Sequence, residues 1–302
     1  MRVSVIIPSF QSAATIRACL ASVLAQDLGE PFEVLVADSG TDDTADIARR
    51  DFPGVRLLKS QTRLEASLAR NWGACEGHGS ILAFIDSDCV AERAWLRRLV
   101  ETIDSGYDGA GGAIANAAGA NSVSWAGYFC EFREFLPLRK VGDATYLTPG
   151  NVAYRSDVFK QAGGFPGGYF PLEDQAFYER LKSAVARIRF DPLIVVTHSH
   201  RTTVSAFLAH QAKIGAANSR VVRVLGLRGR LIASHGWIAG ALFPALTTFR
   251  FARTVAACWR VERCLLIRQP TVAILCWLGM LAWGVGFTSP SAIEARLGHS
   301  RP

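Results

Sequence analysis

The chain has 302 residues, half of them hydrophobic, with 33 Lys and Arg against 26 Asp and Glu and a net charge of +7. That length holds one large α/β domain with an appendage, or two modest domains. Seven cysteines, an odd number with no CxxC, exclude a complete disulfide framework and a paired-cysteine metal site, and fit a reduced, cytosolic setting. The charge is uneven: 12 basic and 2 acidic side chains fall in residues 203–302, on a mildly acidic body. Basic surface attracts nucleic acid or anionic lipid. Apolar stretches from Ile238 to Leu246 and from Val272 to Phe287 lie between these arginines, which favours a membrane and no nucleic-acid partner.

In chain order, "VSVIIP" (3–8) is a short apolar, β-branched run, the pattern of a strand covered on both faces. Pro8 breaks it too early for a signal peptide. A helix follows, with Ser12 as its cap and Ile16, Cys19, Leu20, Val23 and Leu24 at helical spacing. "FEVLVAD" (32–38) is a second buried strand, and "SGTDDTADIARRD" reads as a turn into a helix with an acidic first turn. A third strand over 55–60, a helix over 66–76, a fourth strand over 80–86 and an amphipathic helix over 93–105 continue the alternation. This predicts an α/β fold with a mostly parallel central sheet and helices on both faces. Ligands of such sheets bind beyond the carboxyl ends of the strands, where Pro8, Asp38 and Asp86 converge. Regularity fades from residue 107. It returns with a strand and helix in 148–165, a helix beginning near Asp174, and a last strand over 188–200.

"AFIDSDCV" (83–90) ends a buried strand in two carboxylates, Asp86 and Asp88, whose repulsion is tolerated only with a cation or hydrogen-bond donor between them. A hard divalent ion bound through few carboxylates and substrate phosphates suits a nucleoside diphosphate. A carboxylate at Asp38 can accept hydrogen bonds from a base or ribose. Together "SVIIPSF", "VLVADSGTDDTADIA", "ARNWGACEGHGSILAFIDSDCV", "GNVAYRSDVFKQAGGF" and "LEDQAFYERL" resemble the family 2 glycosyltransferases, which have the GT-A fold, over about residues 3–200 in the family's order and spacing.

The resemblance implies a nucleotide-sugar donor, commonly a UDP-sugar, and transfer with inversion. It implies that Pro8, Ser9, Phe10 and Asp38 hold the base, that Asp86 faces the ribose or the metal, and that Asp88 ligates Mn²⁺ or Mg²⁺ on the diphosphate. Arg70 and Arg63 would face the donor. Asp174 would be the general base, with Glu173 lining the acceptor side, since a hydroxyl attacks poorly until a carboxylate takes its proton. His198 or His200 would complete the metal site, and imidazole suits Mn²⁺ better than Mg²⁺. A Q-x-x-R-W signature of processive synthases is missing at Gln211, which points to single-sugar transfer.

Residues 1–205 are read as the catalytic domain and 206–302 as a basic, helical, membrane-associating region. Residues 231–249 and 270–288 each approach the roughly 20 residues that cross a bilayer. Arginines flank the first on both sides, so under the positive-inside rule it is expected to lie in the interface while the second crosses, with the active site at the cytoplasmic face of the cell membrane. Two helices packed on the catalytic body are the alternative. The acceptor is then a glycan or a lipid-linked glycan; polyprenyl phosphate, a nucleotidyltransferase activity and an inactive binding protein are the competing readings.

Overall fold

The structure, a computed structural model, describes residues 1–184 and 186–289. Its first elements follow the predicted alternation: β1 (Val3–Ser9), α1 (Ile16–Leu24), β2 (Glu33–Asp38), α2 (Thr44–Asp51), β3 (Arg56–Lys59), α3 (Ala66–Glu76) and β4 (Ile81–Ile85). Every residue of β1, β2 and β4 is buried, as their runs of Val, Ile, Leu and Phe require of strands covered on both faces. In α1 the buried residues are Ile16, Cys19, Leu20 and Val23, one apolar stripe at helical spacing. Ser12 does not cap that helix. Its hydroxyl meets that of Ser87 at 2.8 Å, and Thr15 takes the N-cap position.

Then come β5 (Cys89–Ala91), α4 (Trp95–Asp104), β6 (Gly109–Asn116), α5 (Ser122–Phe132), β7 (Gly142–Asp143), β8 (Asn151–Arg155), α6 (Ser156–Gln161), α7 (Glu173–Ser183) and β9 (Ile188–His198). The strands form one mixed sheet in the order β3-β2-β1-β4-β8-β6-β9-β5, with β7 paired to β9. The four N-terminal strands run parallel. β8 is antiparallel to β4, and β5 is antiparallel to β9. The carboxyl ends of β1, β2 and β4 therefore share one rim, with Ser9, Asp38 and Asp86 on it.

The antiparallel half is tied together by Asn151, fully buried on β8. Its amide donates to the carbonyls of Ala113 (2.8 Å) and Ile194 (3.0 Å), and its oxygen accepts from the Trp95 indole at 2.8 Å. Phe84, Phe159, Phe165 and Phe177 pack with ring centroids 4.8–5.3 Å apart and hold α6 and α7 against β4.

The chain divides into two units. The first, Met1–Ala115, Phe135–Gly167 and Glu173–Ser199, contains the sheet. The second takes Asn116–Glu134, Gly168–Leu172 and the described residues from His200 onward. Its helices are α5, α8 (Val204–Val224), α9 (Arg230–Ser234), α10 (Gly236–Arg268) and α11 (Thr271–Thr288). α11 packs on α8, α10 and α5. At the α8–α11 crossing the backbones touch: a Cβ on Gly215 would lie 2.0 Å from the Trp283 carbonyl oxygen, and one on Gly286 1.9 Å from that of Ala212. Among the described residues, α11 is the one helix long and apolar enough to cross a membrane. The other predicted segment, 231–249, is divided between α9 and α10. α10 runs on through the second arginine cluster, with Pro244 inside it and helical geometry interrupted at Glu262. The end of the predicted tail, 290–302, lies outside the described residues.

Candidate active site

Arg70 organises the rim. It sits on α3, 3% exposed, and its guanidinium donates to Glu173 Oε1 at 2.7 Å and to Asp86 Oδ1 at 2.5 Å. Burial opposes its charge, but the two carboxylates more than compensate and raise its pKa. One cation thus joins the end of β4 to the start of α7, which brings three predicted residues together. Glu173 Oε2, buried, has no hydrogen-bond partner among the described residues. Asp174, the next residue, is half-buried and accepts from the Gln175 N–H at 2.8 Å. Burial, and then the neighbouring charge of Glu173, push its carboxyl up to about 7, against the weaker pull of Arg70. A carboxylate next to a like charge in a dry setting is a stronger base than one in water.

The β1–β2 side of the rim is built differently. Asp38 is fully buried and accepts from Lys59 Nζ at 2.6 Å and from the Gly40 N–H at 3.1 Å. Ser9 is paired with Asp38 across the parallel ladder. The hydroxyls of Ser9 and Ser39 are buried without a hydrogen-bond partner among the described residues. Pro8, one residue earlier, lies in β1 beside Ala37. Phe10 is 41% exposed, and the Arg63 guanidinium stacks over its ring at 4.3 Å, a flat wall at the mouth of the rim.

Asp88 gathers a different set. Its Oδ2 lies 3.4 Å from His198 Nε2, and with Cys89 these residues form a group whose ligating atoms all lie within 4.8 Å of one another. A carboxylate oxygen and an imidazole nitrogen at this spacing fit a divalent cation such as Mn²⁺. Asp86 stays with Arg70 and is not in the group. Burial, then the charges of Asp88 and Asp86, raise the Cys89 thiol well above its ordinary pKa.

Residues 4–163, just over half of the chain, match the family described as Glycosyl transferase family 2. The chain belongs to glycosyltransferase family 2. Among its relatives in that family, Glycosyltransferase AglE of Haloferax volcanii is 29% identical over 250 residues, covering 80% of this chain and 81% of AglE. Pre-mycofactocin glycosyltransferase of Mycobacterium tuberculosis is 26% identical over 263 residues, 82% of this chain; the chain spans 53%, about half, of that relative. The mannosyltransferase PcManGT from Pyrobaculum calidifontis, solved with GDP-Man and Mn²⁺, superposes with a TM-score of 0.60 at 18% identity, covering 99% of this chain and 88% of that one. Identity that low speaks to the fold alone, and the fold is GT-A.

In this family 2 chain the two predicted histidines part company. His198 ends β9 beside Asp88, whereas His200 belongs to the helical unit. There its ring packs edge-on to Tyr128 and Phe132, with centroids 5.9 and 5.5 Å away. The helical unit also contains Glu131, whose oxygens lie 3.5 Å from His210 Nε2 and 3.8 Å from Arg201 Nη1 and accept from Gln211 at 3.2 Å. Burial works to raise this carboxyl, but the charges of His210, His200 and Arg201 together with the His210 hydrogen bond bring it down to about 2. Lys59, Ser39 and Cys89 were missed as site residues. The one signal each offers is its position at or near a strand end: Lys59 closes β3, Ser39 follows β2, and Cys89 opens β5.

Proposed function

We propose that the protein is a metal-assisted, inverting glycosyltransferase. It moves a sugar from a nucleoside-diphosphate donor, a UDP-sugar by the sequence resemblance, to a hydroxyl of a glycan or lipid-linked acceptor in glycan or glycolipid assembly. The observation that carries this reading is Asp174, a carboxyl raised to about 7 at the start of a helix that Arg70 locks to the rim. General-base catalysis is most effective when the base titrates near the working pH. The Asp174 carboxylate takes the proton of the acceptor hydroxyl as the new C–O bond forms and the nucleoside diphosphate leaves. One base acting on the face opposite the leaving group supports inversion at the anomeric carbon.

Phe10 and Arg63 offer a stacking wall for the base, while Asp38 and the Ser9 and Ser39 hydroxyls offer it or the ribose hydrogen bonds. Glu173, oriented by Arg70, lines the acceptor side. Asp88 and His198 would hold a divalent cation, which would supply positive charge to the departing diphosphate. The GDP-Man and Mn²⁺ named for the Pyrobaculum enzyme support this class of donor and cation.

Exposed Phe249, Trp259 and Ile267 are interspersed with arginines along α10 from residue 249 onward, the composition of a helix lying at a bilayer surface, with α11 as the crossing segment. A cytoplasmic membrane position suits a lipid-linked acceptor. The test is donor hydrolysis and transfer by the purified protein across UDP-, GDP- and dTDP-sugars with Mn²⁺ or Mg²⁺, with the anomeric configuration of the product read by NMR. An inverted product, lost with Asp88→Ala, is expected; a retained configuration, or no turnover of any donor, contradicts the reading. Transfer to polyprenyl phosphate that survives Asp174→Asn would instead identify a polyprenyl-phosphate sugar synthase, because a phosphate oxygen needs no base.

A further inference from the structure

The residue after the second rim carboxylate is a cysteine, and the ladder aims it at the cation group. Cys89 opens β5 and stands directly opposite His198 in the antiparallel pairing with β9. Directly opposed residues project from the same face of the sheet. The thiol is 1% exposed, His198 is 8% exposed, and the Cys89 sulfur lies 3.9 Å from Asp88 Oδ1. His198 Nε2 lies 3.4 Å from the other Asp88 oxygen, Oδ2, and one ligating atom from each of the three residues lies within 4.8 Å of the others. A cation held at roughly 2.0–2.3 Å from each requires ligand atoms about 3–4 Å apart.

We infer that Cys89 is a third protein ligand, giving this chain an oxygen–nitrogen–sulfur site selective for thiophilic divalent cations (Zn²⁺, Co²⁺, Cd²⁺) over Mg²⁺. The inference rests on the reading of Asp88 and His198 as a cation site. Thiolate and imidazole suit the softer ions, whereas Mg²⁺ prefers an octahedron of oxygens and keeps its waters. On binding, the thiol gives its proton to solvent as the sulfur–metal bond forms, so one proton is released for each cation taken up through sulfur. The competing role for Cys89 is that of a small core residue, packed like Cys19, whose sulfur donates toward the Asp86 carbonyl at 3.5 Å.

The experiment is Co²⁺ titration of the full-length detergent-solubilised protein, followed by absorption spectroscopy. The wild type is expected to show visible ligand-field bands and a near-ultraviolet sulfur-to-cobalt charge-transfer band. Cys89→Ser and Cys89→Ala are expected to keep the first and lose the second, while Cys19→Ser keeps both. By calorimetry, Zn²⁺ affinity should fall at least the roughly tenfold that loss of even an outer partner of a ligand costs, with Mg²⁺ affinity unchanged. Ligand-field bands without charge transfer in the wild type overturn the role of Cys89 and leave the cation site standing, whether or not the variants fold. Charge transfer that persists in Cys89→Ala also overturns it. No cobalt uptake at all removes the cation site and this inference together.

Discussion

The two units each hold a partly buried carboxylate beside other ionisable groups, and the outcomes are opposite. In the sheet unit, Asp174 has Glu173 as its neighbour and is pushed up to about 7. In the helical unit, Glu131 lies among His210, His200 and Arg201 and is held down to about 2. Burial acts in the same direction on both, so the sign is decided by the charge of the company each keeps. Glu131 has partners in place and serves as a structural anion. Asp174 is paired with a like charge whose own cation, Arg70, is already shared with Asp86, and is left basic enough to accept a proton.

The sharpest way to break this contrast is to neutralise each acid in turn. Asp174→Asn is expected to lower transfer to a hydroxyl acceptor by about 10²–10⁴-fold while leaving nucleotide affinity intact. Glu131→Gln should leave turnover within about twofold of wild type, in line with its place in the helical unit. Equal losses of activity in the two variants, measured with a saturating donor, would erase the distinction.

Next in size is the shared cation. Arg70→Met leaves Glu173 buried and unpaired, and breaking such an interior pair costs about 3–5 kcal/mol. Urea unfolding should report most of that loss, and Arg70→Met/Glu173→Gln should recover part of it. A single variant as stable as wild type would show that Arg70 does not hold the rim.

Smaller is the contribution of Glu131. Its folded-state pKa lies below its unfolded value, so its stabilisation is full above the ordinary carboxylate range and fades as the pH falls toward 2. Glu131→Gln is therefore expected to unfold about 1–3 kcal/mol more easily at neutral pH, with the difference shrinking as the medium is acidified. A gap that widens in acid would reverse the assignment.

Much of the sheet was legible because β1, β2 and β4 are continuous apolar runs whose only stable setting is the middle of a covered sheet. β6 was not, since "GAGGAIAN" has few of the side chains that mark a strand. Its reason is steric: a Cβ on Gly112 would lie 2.0 Å from the Ile194 carbonyl oxygen, so β6 meets β9 too closely for a side chain there. The acidic ends at Asp38, Asp86 and Asp88 were readable from position alone. Of their partners, Arg70 and His198 were expected at the site only through the family resemblance, and Lys59 was not expected. Lys59, Arg70 and His198 arrive from 21, 16 and 110 residues away, and spacing within one helix or strand carries no record of such meetings. The length of α10 was also hidden, because the arginines after residue 249 read as the end of the segment, although the helix runs on through them to the break at Glu262.

The most direct test is the pH dependence of kcat/KM with a hydroxyl acceptor in wild type and Glu173→Gln. As the proposed general base, Asp174 acts deprotonated, so wild-type kcat/KM should climb about tenfold per pH unit below pH 7 and level off above it. Removing the Glu173 charge lets Arg70 favour the Asp174 carboxylate, which moves that limb to lower pH. Superimposable profiles, or a limb that moves to higher pH, would contradict the account.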